Sequence, residues 1–261
     1  MRRGDRHDPK ELSVSFRFEG DFAAAFREGR AGGLLPGEAL KNIVHRAARD
    51  YGAGEIEEFG LALCERVLAQ QPAITRARVE ITESAWARLD VAGRAQGQAF
   101  VAGPPELKTA AVTSNGRQSS VVSGLAALSL MRTAGFAPAR GEAADDGIAD
   151  GLPRLLVAEL SAKWTYSSAD VTFRTYRQGV RALIVETFAR HASRSVQHTL
   201  YAMADLVLAS YQEITDVTLA LQERPYRPAD LFSAGVDNPD DLFVAVEEPV
   251  GVVEVTVERD S

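Results

Sequence analysis

Hydrophobic positions follow two different periods along this chain, and each change of period predicts a change of element. Apolar side chains recur every three or four positions over residues 180–188, which predicts an amphipathic helix. HASRS interrupts the pattern and offers Ser193 or Ser195 as the cap of a second helix, whose apolar stripe runs over 196–207. The period then becomes two over 217–221, which predicts a half-buried strand directly after the two helices.

The first half of the chain repeats this succession of patterns. Alternating apolar and polar residues predict strands at 12–18 and 74–81, each with one solvent-facing side. Helical spacing predicts helices at 40–52 and 55–71, between those strands. We also expect a second strand within 21–35, so that two strands precede the helices.

The plan recurs in the second half, from about residue 163. We expect a strand within 164–176, then the two helices, a strand after Asp216 and a last strand at 253–257. Two copies of a ββααββ unit, roughly 140 residues apart, predict an α+β fold with antiparallel sheets and helices on one face. A four-stranded sheet covered on one side leaves two open edges, which predicts lateral pairing into an oligomeric barrel.

These patterns predict two units, residues 1–110 and residues 111–261, the second including a less regular segment at 111–162. Around this boundary, PPELKTAAV is compatible with a strand or a loop, and SSVVSGLAALSLM predicts an apolar strand. ARGEAADDGIADGLP has the composition of an exposed acidic loop. Irregular segments between scaffold elements often carry functional residues.

Composition excludes several classes of protein. The 261 residues are 46% hydrophobic and 25% charged, as expected for a globular chain with a sizeable core. A net charge of −7 argues against nucleic acid as the main ligand. The single cysteine, Cys64, excludes an internal disulfide and predicts a buried helix thiol. Neither a membrane span nor a secretion signal is expected, which favours a cytoplasmic protein.

Several segments, in their order and spacing, resemble the uricases (urate oxidases). They include RHDPKELSVSFRFEGDF, LPGEALKNIVH, IEEFGLALCERVL, SRSVQHTLYAMA and the closing EEPVGVVEVTVER. The resemblance covers nearly the whole chain. It implies a tandem T-fold that assembles into a homo-oligomer (dimer or tetramer) with its sites between subunits. It also implies an activity that oxidises urate with dioxygen, using neither a metal nor an organic cofactor.

The resemblance also implies a set of residues that holds a flat ring. The family's stacking Phe falls on Phe136, its Arg on Arg154 and its Gln on Gln197, which Val196 precedes. A guanidinium offers a planar fork to a carbonyl or anionic nitrogen. A carboxamide supplies one donor and one acceptor to an adjacent N–H/C=O edge, and an aromatic face stacks beneath the ring.

The catalytic positions of the family are less well matched. The Thr that relays protons from urate in the family corresponds to Gly37, which has no hydroxyl and is followed by Glu38. The Asn and His that hold dioxygen fall on Glu223 and Pro225, in LQERPY. We expect the chain to begin after the strand that carries the family's catalytic Lys, and Lys10 is not assigned that role. Glu223 and Glu38 are therefore the candidate catalytic carboxylates.

Electrostatics limits what Glu223 can do above a ring. A carboxylate about 4 Å from the urate anion would cost about 4 kcal/mol at an effective dielectric constant near 20. Glu223 is then protonated in the complex, or the ligand is neutral or cationic, or the chemistry differs from that of the family. Alternatively, Glu223 simply pairs with Arg224 or another cation at the surface.

Three functions remain open from the sequence. The first is a diverged enzyme acting on a purine-like heterocycle with altered acid–base chemistry, such as a specialised biosynthetic step would need. The second is a working urate oxidase that converts urate and dioxygen to 5-hydroxyisourate. The third is a non-catalytic binder, or a subunit that needs a related chain to supply the missing groups.

Overall fold

The computed structural model describes most of the chain. The residues described are 2–3, 6–51, 54–133, 155–192, 195–231, 235–236, 238, 241–247 and 251–259. The chain divides into two compact units, unit 1 (residues 1–125 and 164–177) and unit 2 (residues 126–163 and 178–261). Among the described residues, every helix is too short or too polar to cross a membrane.

Five helices and eleven strands make up the described part of the chain, seven of the strands in one sheet. The strands are β1 (Arg2–Arg3), β2 (Arg6–His7), β3 (Glu11–Gly20), β4 (Ile74–Val91), β5 (Arg94–Ser114), β6 (Ser119–Arg132), β7 (Leu156–Tyr166), β8 (Ile214–Arg224), β9 (Tyr226–Pro228), β10 (Phe243–Ala245) and β11 (Val252–Glu258). The helices are α1 (Ala23–Glu28), α2 (Gly37–Tyr51), α3 (Ile56–Gln70), α4 (Phe173–Arg190) and α5 (Val196–Ser210). The order of the sheet is β11-β8-β7-β6-β5-β4-β3.

Unit 1 confirms the strands predicted at 12–18 and 74–81 and both helices predicted between them. β3 pairs antiparallel with β4, which places Val14 opposite Ile81 and Phe16 opposite Val79. α3 packs against β4 and β5 through its apolar stripe. Cys64 is fully buried in this layer, as predicted, and its burial raises the pKa of its thiol to about 11.

The strand predicted within 21–35 is wrong. That stretch holds the short helix α1 and then a turn. The three alanines that open α1 are strong helix formers, and Gly29 ends the helix in the left-handed conformation with φ of 66°. One long strand, β3, therefore precedes α2 and α3 in unit 1, and the described residues before it form only the short pair β1 and β2.

Unit 2 confirms the succession of two helices and a strand. α5 packs on β8 and β11, and β11 pairs antiparallel with β8, with Val255 opposite Leu219. The strand predicted within 164–176 is right only for its first three residues, because β7 ends at Tyr166 and α4 begins at Phe173. A turn in which the Ser168 hydroxyl accepts a hydrogen bond from the Asp170 amide (3.1 Å) lies between them.

The segment 111–162 is more regular than its composition predicts. The end of β5, all of β6 and the first part of β7 lie within it. The predicted acidic loop at 139–153 falls outside the described residues. The boundary predicted after residue 110 stays a prediction.

The two helix–strand segments α3–β4 and α5–β8 correspond residue by residue, with a constant offset of 140. Each helix has fifteen residues, and the strands begin at Ile74 and Ile214. Many buried positions coincide between the two segments. Corresponding buried pairs are Leu63 and Met203, Val67 and Val207, Ala77 and Val217, Val79 and Leu219, and Ile81 and Leu221.

Candidate functional site

The predicted ligand-binding residues Val196 and Gln197 are the first two residues of α5. Ser195 precedes them as the cap, and its hydroxyl accepts a hydrogen bond from the His198 amide (3.1 Å), so Ser195 is confirmed as one of the two predicted caps. Val196 is half-buried, whereas the Gln197 side chain is exposed. The Gln197 carboxamide is not engaged by any other described residue, so its donor and acceptor are available to a ligand.

The end of β6 meets the connection between α4 and α5. Arg132, the last residue of β6, donates from Nη1 to the carbonyl oxygens of His191 (2.9 Å) and Phe188 (3.3 Å). These carbonyls belong to the C-terminal turn of α4, where a cation satisfies groups that have no partner within the helix. Arg132 thereby ties the C-terminal end of α4 to the end of β6.

Two histidines pack against each other beside Gln197. The rings of His191 and His198 lie edge to face with centroids 4.6 Å apart. Nδ1 of His191 is buried and has no hydrogen-bond partner. Burial, the proximity of His198 and the proximity of Arg132 together lower the pKa of His191. The lowered pKa favours the neutral form of His191 in the folded protein.

Acidification should consequently destabilise this region. Below about pH 6.5, the ordinary value for histidine, the unfolded chain takes up a proton on His191 more readily than the folded chain does. Stability is thus lost as the pH falls from the ordinary pKa toward the lowered one. Urea unfolding at a series of pH values should show a flatter acid limb for His191→Gln than for the wild type. An unchanged acid limb would contradict this assignment.

His45→Gln is the matched control for that measurement. His45 is exposed on α2. Its replacement should leave the acid limb as in the wild type, because its side chain already faces solvent in the folded protein.

Glu223 lies near the end of β8 with its side chain exposed. The surface pairing with Arg224 considered from the sequence does not form, because Arg224 donates to Glu159 of β7 instead (2.9 Å). No described residue forms a hydrogen bond or ion pair with Glu223. The carboxylate is therefore available for a ligand or for proton transfer.

The chain topology brings Gln197 and Glu223 to the same end of unit 2. α5 and β8 are joined by three residues and run in opposite directions against each other. A helix rises about 1.5 Å per residue and a strand about 3.3 Å per residue. Gln197 and Glu223 therefore both lie well away from the three-residue connection, on the same side of it. The Arg224–Glu159 contact places the start of β7 at this end as well.

Phe136 and Arg154 fall outside the described residues. The described chain nevertheless enters and leaves their segment at the same end of unit 2. β6 ends at Arg132, and β7 begins at Leu156. Their assignment to the ring-binding site stays a prediction.

Glu38, the second candidate catalytic carboxylate, lies in unit 1 in the first turn of α2. Its side chain is 79% exposed and pairs with Lys41 (2.8 Å) three residues along the helix. Negative charge is favourable in the first turn of a helix, so this arrangement is explained by helix stability alone. A catalytic role for Glu38 stays a prediction.

Arg132, His191 and His198 were not predicted to be parts of this site. His191 and His198 are seven residues apart across a break in the helical pattern, and sequence spacing alone gives no contact between them. Among the described residues, no group of three or more His, Cys, Asp or Glu is arranged to hold a metal ion.

Comparison with known proteins gives one consistent family. The family model described as Uricase matches residues 11–113 and 121–254. The chain is 28% identical to the uricase of Arthrobacter globiformis, over 98% of this chain and 83% of that protein. It is 27% identical to the uricase of Danio rerio, over 99% of this chain and 89% of that protein.

Solved structures agree with these sequence matches. The crystal structure of uricase from Arthrobacter globiformis superposes with a TM-score of 0.91 at 28% identity, covering 100% of this chain and 89% of that one. A uricase from Bacillus fastidious gives a TM-score of 0.80 at 21% identity, which supports the fold alone. The predicted α+β tandem T-fold is thereby confirmed.

Proposed function

The chain belongs to the uricase family, and from this premise we propose that it is an enzyme that binds urate or a closely related planar purine-like heterocycle at the start of α5. It acts without a metal or organic cofactor, and Glu223 serves as its acid–base group. The observation that carries the proposal is the pair of exposed, unengaged side chains, Gln197 and Glu223, at one end of unit 2.

The binding half of the proposal follows from hydrogen-bonding chemistry. The capped start of α5 fixes the backbone of Val196 and Gln197, so little conformational freedom is lost when a ligand binds. The Gln197 carboxamide matches the adjacent N–H and C=O groups on the edge of a purine-like ring. We assign Arg154 and Phe136 to the other edge and to the face of the ring.

The altered chemistry follows from the residues at the family's catalytic positions. Gly37 cannot relay a proton, Pro225 has no imidazole, and Glu38 is paired with Lys41. Of the described residues at these positions, Glu223 carries a titratable side chain that no described residue pairs with. If the ligand is an anion, a proton bound to Glu223 removes the like-charge repulsion of about 4 kcal/mol and is available for transfer to the ring.

We place the site between two copies of the chain, in a homo-oligomeric dimer or tetramer. The second copy would bring the start of its own α2 to the ring, with Gly37 and Glu38. The exposed position of both residues at the beginning of α2 is compatible with such a contact.

A second candidate is a working urate oxidase with dioxygen as co-substrate. It is favoured by the similarity to the uricase of Arthrobacter globiformis over 98% of this chain. On this alternative, groups other than the family's Lys, Thr and His relay the protons, and Glu223 is dispensable.

One set of assays distinguishes the two. Urate and a panel of purines and pteridines are mixed with the protein in air, while ultraviolet absorbance and oxygen uptake are followed. The proposal predicts turnover of at least one ring that Glu223→Gln lowers by about 100-fold or more. Glu254→Gln, an exposed carboxylate on β11, is the matched control and should have no effect.

The other outcomes decide against the proposal. Consumption of urate and oxygen at an unchanged rate by Glu223→Gln would establish the second candidate. Absence of both binding and turnover across the panel would contradict both candidates. Turnover that requires an added related chain would show that this protein is a subunit of a mixed enzyme.

A further inference from the structure

Unit 1 contains a buried ion pair that the proposed function does not use. Glu57 of α3 is fully buried, and the Arg177 side chain is 8% exposed. Nη2 of Arg177 donates to Oε1 of Glu57, and the Ser123 hydroxyl donates to the same oxygen. A buried charge pair needs a specific reason, since an apolar pair of similar volume is often no less stable.

The position of Glu57 in the internal repeat supplies that reason. With the offset of 140 that relates α3–β4 to α5–β8, Glu57 corresponds to Gln197. Each is the second residue of a fifteen-residue helix. Gln197 is exposed at the proposed ring site, whereas Glu57 is buried against the guanidinium of Arg177.

The guanidinium of Arg177 lies in a slot that suits a planar group with several N–H donors. Nη1 donates to the carbonyl oxygen of Gly124 (2.5 Å), and Nη2 approaches that of Thr109 (3.3 Å). The Trp164 ring centroid lies 5.8 Å from its Cζ. The slot thus combines a carboxylate, carbonyl acceptors and an aromatic wall.

Arg177 does not satisfy this slot completely. Oε2 of Glu57 and Nε of Arg177 are both buried without a hydrogen-bond partner. A carboxylate and a guanidinium can form two parallel hydrogen bonds, but here only one carboxylate oxygen is used. One carboxylate oxygen of Glu57 and one N–H of the guanidinium thus remain unused in the slot.

We propose that the slot around Glu57 is a second, occluded copy of the heterocycle site, in which the side chain of Arg177 takes the place of a ligand. Removal of that side chain opens a site for small planar cations of the guanidinium or amidinium class. The carboxylate of Glu57 selects a cation there, whereas the carboxamide of Gln197 selects a neutral N–H/C=O edge.

The test is rescue of Arg177→Ala by methylguanidinium, followed by thermal unfolding. The variant should lose roughly 6–20 °C in Tm, because the carboxylate is left buried and unpaired. Methylguanidinium should restore about 3–6 °C at ten times its dissociation constant. Methylammonium, which has the charge but not the planar fork, should restore nothing, and the wild type should not respond to either.

Two further variants serve as controls. Glu57→Gln combined with Arg177→Ala removes the buried charge, so this variant should be more stable than Arg177→Ala and should not respond to methylguanidinium. Arg174→Ala removes a cation from the same helix, 63% exposed and paired with Glu55 (2.7 Å). It should lose little stability and show no rescue.

Every outcome decides the proposal. A folded Arg177→Ala that methylguanidinium does not stabilise, or that methylammonium stabilises equally, overturns it, as does equal rescue of the double variant. If Arg177→Ala fails to fold alone, refolding only with methylguanidinium supports the proposal. If Arg177→Ala does not refold even with methylguanidinium, although the double variant folds, the proposal is overturned.

The inference shares with the proposed function only the role of Gln197, from which the comparison with Glu57 starts. The rescue experiment measures the thermal stability of variants at Arg177 and Glu57, and it does not measure turnover. A negative result with urate would therefore leave the rescue experiment decisive, and a negative rescue would leave the enzyme assays decisive.

Discussion

Glu57→Ala is expected to lower the free energy of unfolding by about 3–5 kcal/mol, the usual loss when one partner of a buried ion pair is removed. The substitution leaves the Arg177 guanidinium in the interior of unit 1 without its carboxylate, and it removes the acceptor of the Ser123 hydroxyl. Urea unfolding at neutral pH measures the change. Glu57→Gln should lose less, because its amide oxygen still accepts from both groups.

Glu38→Ala is the matched control, since Glu38 also belongs to the first turn of a unit 1 helix. It is 79% exposed, and its pair with Lys41 is solvated. A loss of no more than about 0.5 kcal/mol is expected there. If Glu57→Ala were equally mild, the Glu57–Arg177 pair would not be the buried, mutually dependent contact described here.

Gln197→Ala is expected to weaken binding of the heterocycle about 30- to 150-fold, equivalent to about 2–3 kcal/mol. The carboxamide would supply both a donor and an acceptor to the ring edge, and truncation leaves the two ring groups unpaired. Calorimetric titration of urate into the protein under anaerobic conditions separates this binding effect from turnover. Stability should change little, because the Gln197 side chain is exposed and forms no hydrogen bond with other described residues.

Gln70→Ala provides the comparison for that titration. Gln70 is the exposed last residue of α3, the corresponding helix of unit 1. Its replacement should leave the affinity for urate as in the wild type. Equal affinities of Gln197→Ala and wild type would remove the start of α5 from the binding site.

The elements that the sequence predicted correctly are those whose apolar period is unambiguous. α3 and α5 carry apolar residues at helical spacing, and apolar residues alternate over 217–221 in β8 and 253–257 in β11, so packing on one face preserves these patterns. α1 was missed because six residues are too few to establish a helical period. The strand predicted within 164–176 was placed too far along the chain, because a turn after Tyr166 leads into α4.

The site was only partly accessible from the sequence. The Ser195 cap and the helix that begins at Val196 follow from local signals, so the position of Gln197 could be predicted. The Glu57–Arg177 pair joins residues 120 positions apart, and local pattern contains no information on such a contact. Its only sequence signal was the internal repeat, which aligns Glu57 with Gln197 once the offset of 140 is fixed.

The most direct test of the account is a crystal structure of the protein soaked with urate in the absence of oxygen. We predict density for a flat ring against Val196, with the Gln197 carboxamide hydrogen-bonded to its N–H/C=O edge and the Glu223 carboxyl group facing the ring. A ring bound elsewhere, or bulk solvent beside Gln197 at saturating urate, would contradict the account.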